Sequence, residues 1–177
     1  MRFIQLSSCL FLVFLLARAT VAEQTLGMNV RDFGAKGDGK SDDTAAFQRA
    51  MDECSASGGG IASVPTGKYL IKTHLTIPKS VTLEGVWRAP PTVDQYHDPK
   101  DPKGGPELSG SVLLAVEGAG NEKGTPFLRL GFNSTLKGVT LFYPEQTKTN
   151  PPVAYPWTVQ SAGADNCAIV DVLMVNP

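Results

Sequence analysis

From Gly60 onward the chain is a succession of short apolar runs, at 61–64, 69–71, 75–77, 81–83, 112–116, 127–130, 139–142, 157–159 and 169–175. Gly, Pro, Asn, Asp or Ser separate them, so they read as strands of an all-β architecture. Most are too short to stand as independent hairpins, and no Asn-Gly or Asp-Gly turn joins consecutive runs. Each strand must therefore find its partners elsewhere in the chain. The 18 Gly and 13 Pro of the 177 residues fit such a turn-rich fold.

An internal comparison suggests where those partners are. Thr82-Leu83-Glu84-Gly85-Val86 recurs as Thr135-Leu136-Lys137-Gly138-Val139, and Ile169-Val170-Asp171-Val172 keeps the same shape. An inward apolar residue, an outward polar one, a turn residue and a second inward apolar residue would let the chain change direction at each edge of a coil. Stacked coils of this kind would align the repeated turns and pair every strand with the coils above and below. The unequal spacing of the repeats is accounted for by insertions, and the stretches 88–110 and 143–156 read as loops of that sort.

The N-terminal third is organised differently. Residues 1–22 combine Arg2, an apolar run and the small-residue ending Ala19-Thr20-Val21-Ala22, the pattern of a signal peptide. The expected domain is 23–177, in a secreted protein that is extracellular or periplasmic. Losing the leader moves the formal charge from −1 to about −3, so nothing basic is available to grip a nucleic acid. Residues 28–33 read as a strand, and Gly34 to Gly39 as a polar turn. Ser41 or Asp42 is placed to cap a helix, with Asp42 and Asp43 at its positive end. Phe47, Ala50, Met51 and Cys54 then fall on one apolar stripe of about three turns, which Gly58-Gly59-Gly60 ends.

Gly34 to Ser41 also satisfies the phosphate-loop pattern G-x-x-x-x-G-K-[ST]. Asp42 and Asp43 would set two carboxylates where phosphate charge must be stabilised. The preceding Asn29-Val30-Arg31-Asp32-Phe33 is not a buried strand of a nucleotide fold, and no alternating helices follow. No nucleotide partner is expected.

The chemistry-bearing residues are scattered. Asp165, Asp171, Glu84, Glu107 and Glu145 supply carboxylates, and Lys137 and Arg129 supply cations. No spacing pairs them, and each is read first as a solvated coil or turn residue. His74 and His97 have no ligand-spaced partners, so no metal site is expected. Cys54 and Cys167 are read as buried thiols, with their pairing left open. Trp87, Tyr96, Tyr155 and Trp157 lie in or beside the long loops, where flat rings can either pin the loop or stack on a sugar. Trp87, Tyr155 and Trp157 are the candidate substrate-binding residues, and no catalytic residue is assigned. Asn133-Ser134-Thr135 is a formal N-glycosylation acceptor.

The segment "NVRDFGAKGDGKSDDTAAFQRAMDECSASGGGIASVPTGKYLI", from Asn29 to Ile71, resembles the opening of the pectate-lyase superfamily of β-helices, which includes rhamnogalacturonase-, epimerase- and polygalacturonase-like proteins. The resemblance implies a right-handed, single-stranded parallel β-helix whose first coil is capped by the amphipathic helix. In that setting Asp42 and Asp43 are structural. The N-T-D, D-D, G-H-G and R-I-K motifs of polygalacturonases do not occur after residue 43, so the chain is read as the N-terminal portion of a longer protein, a fragment or a truncated product. The implied function is that of an exported carbohydrate-active protein, a polysaccharide lyase or glycoside hydrolase acting on a pectin-like or other polysaccharide. No cofactor is implied, except calcium should the chemistry be that of a lyase. The alternatives are a non-catalytic, tailspike-like glycan binder, a homotrimer in that case, and a degenerate remnant.

Overall fold

The computed structural model describes residues 27–87, 108–146, 151–161 and 163–175. The expected leader, His97, Tyr96, Glu107 and most of the first long loop lie outside them. Thirteen strands appear in the described residues: β1 (Gly27–Asn29), β2 (Asp38–Asp42), β3 (Gly60–Val64), β4 (Gly67–Ile71), β5 (Leu75–Ile77), β6 (Val81–Gly85), β7 (Ser111–Ala115), β8 (Leu128–Leu130), β9 (Thr135–Lys137), β10 (Thr140–Phe142), β11 (Val159–Gln160), β12 (Ala168–Val170) and β13 (Leu173–Val175). One helix, α1 (Thr44–Ala56), stands between β2 and β3.

The strands form three sheets, ordered β1-β3-β6-β9-β12, β2-β4-β7-β10-β13 and β5-β8-β11, and every pairing is parallel. The chain visits the sheets in turn, so each circuit lays one coil on the previous one at the strand spacing of about 4.8 Å. The internal repeat is this stacking seen in sequence: Leu83 is in register with Leu136 and Glu84 with Lys137, while Leu136 is in register with Ile169. Its turn residues stack too. Gly138 sits at φ +66°, and a Cβ there would stand 2.5 Å from the Gly85 carbonyl. Asp171 takes the same corner at φ 52°.

Interior positions are mostly apolar. Ala62, Leu83 and Leu136 of the first sheet, Tyr69, Leu113 and Leu141 of the second, and Leu75, Ile77 and Leu128 of the third are all buried. The last described coil departs from this rule. Ile169 and Met174, in register with buried Leu136 and Leu141, are 49% and 39% exposed, because no further coil covers them among the described residues.

At the other end α1 is the cover. Ala46, Phe47, Ala50, Met51 and Cys54 are buried beneath it, and the Phe47 ring meets Tyr69 edge-on at 5.1 Å. The stripe expected from periodicity is thus the buried face. Its start differs from expectation. Ser41 and Asp42 belong to β2, and Asp43 holds the N-cap position. Asp42 accepts from the Thr44 amide and hydroxyl at 3.0 and 2.6 Å. Asp43, 1% exposed, turns back to accept from the amides of Lys36 and Gly37 at 2.7 and 3.0 Å. The phosphate-loop-like turn is therefore closed on a carboxylate of the chain itself.

Other boundaries also move. The strand expected at 28–33 ends at Asn29, whose side chain accepts from the Arg31 amide and starts a 3₁₀ turn, Val30–Phe33, closed by Gly34 at φ 101°. The polar turn after it carries β2. The run 169–175 is broken in two by Asp171, the run at 139–142 is preceded by a separate β9, and Trp157 lies ahead of β11. Cys54 and Cys167 are both free thiols. Cys54 is buried, and Cys167 is half-buried with its Sγ 3.2 Å from the Gly131 carbonyl.

Candidate functional site

Between the second and third sheets each coil turns through a segment of different length, at 72–74, 116–127 and 143–158. Backbone bonds stack these corners: Leu75 donates to the Phe127 carbonyl at 2.9 Å, and Phe127 to the Trp157 carbonyl at 3.0 Å. The two longer loops touch where Gly118, at φ +85°, leaves room for Pro156; a Cβ there would stand 2.6 Å from the proline Cδ. Gly120 donates to the Ala154 carbonyl beside it at 2.8 Å.

Aromatic residues brace the upper loop. Tyr143 lies edge-on to Phe127 and to Tyr155, with ring centroids 6.3 and 4.8 Å away, and its hydroxyl donates to the Thr158 hydroxyl at 3.0 Å. Gln146 grips Val153 through both its carbonyl and its amide. The Tyr155 hydroxyl donates to Glu145 at 3.2 Å. Burial, and then the Glu145 charge, push the Tyr155 phenol up to about 12, so it stays protonated. Burial also raises Tyr143, against the opposing hydrogen bond to Thr158.

This bracing leaves Trp157 73% exposed at the mouth of a cleft of about 690 Å3, lined by Lys123, Arg129, Tyr155, Trp157 and Gln160. Its floor is the outer face of the third sheet, where Thr76, Arg129 and Gln160 stand in register on successive strands and point to solvent. Two cations, Lys123 and Arg129, face one lining carboxylate, Glu122. The cleft can hold a carboxylate by its cations and a sugar face by the Trp157 ring. It does not fit calcium, which needs six to eight oxygen ligands. Among the described residues no group of three or more His, Cys, Asp and Glu is placed to hold a metal ion.

The three aromatic candidates do not converge. Tyr155 and Trp157 line the cleft. Trp87, 41% exposed, follows β6 at the corner between the first and second sheets, near Gly138. Of the scattered charges among the described residues, Arg129 alone lines the cleft, and Glu145 touches it through Tyr155. Glu84 and Lys137 pair at 2.7 Å on the outside of the first sheet, where Glu84 holds the Lys137 pKa up. Asp165 and Asp171 are exposed turn residues. Asn133 is exposed and accepts from the Asn166 amide at 3.1 Å. His74 meets Glu117 at 3.3 Å. Lys123 and Gln160 were missed by sequence reasoning, although the alternation of Leu128 and Leu130 around Arg129, carried to Val159, puts Gln160 on the face of Arg129.

Residues 27–112 match the family described as rhamnogalacturonase A/epimerase, pectate lyase-like. The chain is 54% identical over 67 residues to the mannuronan C5-epimerase AlgE3 of Azotobacter vinelandii, covering 34% of this chain and 4% of that protein. It is 32% identical over 105 residues to the "Probable glucan endo-1,3-beta-glucosidase" of Arthroderma benhamiae, covering 52% and 12%. Among solved structures, the A-module of the A. vinelandii mannuronan C-5 epimerase AlgE6 superposes with a TM-score of 0.52 at 25% identity, over 83% of this chain and 37% of that one. The chain therefore spans a small part of the curated relatives it matches. With its three parallel sheets, its helical cap and these likenesses, the chain has the fold of a right-handed parallel β-helix, and residues 27–112 of it match the pectate lyase-like family.

Proposed function

We propose that the cleft on the third sheet binds an acidic polysaccharide of the uronate class, and that these coils belong to an exported carbohydrate-active β-helix enzyme. The carrying observation is the meeting of Arg129 and Lys123 with the exposed Trp157 ring in one open groove. Cations take the uronate carboxylate and the ring takes the apolar sugar face. The likeness to a mannuronan epimerase supports the uronate class, and the residue 1–22 pattern supports export.

For the reaction of the whole protein, the cleft favours proton abstraction beside a uronate carboxylate over hydrolysis. Hydrolysis needs two carboxyl groups flanking the bond, whereas among the described residues the cleft lining carries one, Glu122. Abstraction needs a base to take the proton and fixed positive charge where the carbanion's negative charge develops; Arg129 and Lys123 supply the charge. That first step is common to elimination and to epimerisation.

A second reading, glycan binding without catalysis, is favoured by the lack of an assigned base in the cleft. One experiment separates these readings. The chain is titrated with mannuronan, polygalacturonate and β-glucan by calorimetry, while unsaturated uronides and reducing ends are followed in parallel. Binding of the uronate polymers over the glucan supports the proposal, product formation then distinguishes enzyme from binder, and preference for the glucan defeats the uronate assignment.

A further inference from the structure

The sequence carries one Asn-x-Ser/Thr triplet, Asn133-Ser134-Thr135, and the fold places its asparagine where a bulky group can project. The Ser134 amide donates to the Gly131 carbonyl at 3.2 Å, closing a turn whose two central residues are Phe132 and Asn133. Asn133 takes φ 54°, the left-handed conformation that the third residue of such a turn requires and that asparagine tolerates. Both tip residues are exposed, Phe132 by 49%. This corner follows β8, at the opposite end of that strand from the loops that frame the cleft.

The two arms of the Asn133 side-chain amide are used differently. Its Oδ1 accepts from the Asn166 amide at 3.1 Å, and its backbone N–H donates to the Asp165 carbonyl at 3.1 Å. The residue is thus tied to the next coil without its Nδ2, which no hydrogen bond engages among the described residues. A substituent on Nδ2 leaves the carbonyl arm free to accept as before, so the coil stack keeps both bonds. Beside it stands the Phe132 ring, an apolar surface that a sugar face can cover.

Resting on the export reading, we infer that Asn133 is N-glycosylated in the exported protein and that the first sugar lies against Phe132. In the transfer, Asn133 Nδ2 forms a bond to C1 of a lipid-diphosphate-linked oligosaccharide. The bond from C1 to the diphosphate oxygen breaks, the lipid diphosphate leaves, and Nδ2 gives up one proton. Transfer precedes stacking of the coils, because in the folded protein Thr135 is held in β9 between β6 and β12. The folded geometry then decides whether the glycan is carried without strain, and the exposed turn tip carries it.

The test translates the full chain with microsomes from an N-glycosylating cell, once with its own residues 1–22 and once with an established secretion leader in their place. The protease-protected product is mapped by mass spectrometry. Behind the established leader, most molecules carry glycan on Asn133, and Thr135→Val, which removes the triplet but keeps Asn133 and a β-branched strand residue, abolishes it. A protected product left bare at Asn133 overturns the site. Glycan behind the established leader, with no protected product from the natural one, defeats the export reading and leaves the site standing. For the sugar contact, the glycosylated chain is trimmed enzymatically to a single N-acetylglucosamine and melted beside bare wild type made in a bacterial cytosol. The trimmed form melts about 2–4 °C higher, and Phe132→Ala erases the difference between its own trimmed and bare forms. Equal melting of trimmed and bare wild type overturns the contact with Phe132.

Discussion

Gln48 of the cap helix serves Thr76 of β5 as the neighbouring strand it lacks: its Oε1 accepts from the Thr76 amide at 3.0 Å, and its Nε2 donates to the Thr76 carbonyl at 3.0 Å. β5 is the edge of the third sheet, and an unpaired edge is open to unwanted pairing. One side-chain amide closes it at the position that begins the outward ladder.

Replacing Gln48 by Ala should cost about 1 kcal/mol, since water can reach the freed groups. Gln48→Glu should fall between, because a carboxylate accepts from the amide but cannot donate to the carbonyl. Denaturant melts give the stability, and hydrogen exchange at the Thr76 amide should quicken in Gln48→Ala and stay closer to wild type in Gln48→Glu, which keeps the acceptor.

The stacked corners at Gly138 and Asp171 should respond in opposite ways. Gly138→Ala puts a Cβ against the Gly85 carbonyl in a left-handed conformation, and should lose at least about 2 kcal/mol. Asp171→Gly relieves the same conformation at φ 52° and should be neutral or mildly stabilising in the same melts. A destabilised Asp171→Gly variant would contradict the strain argument.

Much of the coil stack is legible in the sequence. The repeat aligning Leu83 with Leu136, and Leu136 with Ile169, is the observed register, and the Phe47–Cys54 stripe is the buried face of α1. β2 was not legible, because Asp38–Asp42 carries no apolar alternation and is a strand only by its pairing with β4. The start of α1 was misplaced because four consecutive residues that can cap, Ser41 to Thr44, stand there and only folding decides which carboxylate faces which amide. Trp87 was grouped with Tyr155 and Trp157 because all three border loops; which corner a loop leaves is set by the coil register.

Arg129→Ala should weaken binding of a uronate polymer roughly tenfold or more, the range of a hydrogen bond to a charged group, and should flatten its salt dependence. Trp157→Ala should weaken it without changing the salt slope. Both side chains are exposed, so melting temperatures should stay near wild type. Calorimetry at two salt concentrations checks both.

The phenol of Tyr155 should ionise near 12, above the ordinary tyrosine range around 10, in an ultraviolet titration. Because folding favours the protonated form, its contribution to stability is complete below pH 10 and is lost as pH rises toward 12. Glu145→Gln should lower the transition, though burial will keep it above the ordinary value.

The rung at β12 and β13, which no strand covers among the described residues, dictates what any polypeptide stacked on it must bring. Ile169 and Met174 present greasy knobs beside unclaimed backbone donors and acceptors, so a fitting neighbour needs parallel chain direction and matching aliphatic teeth at once.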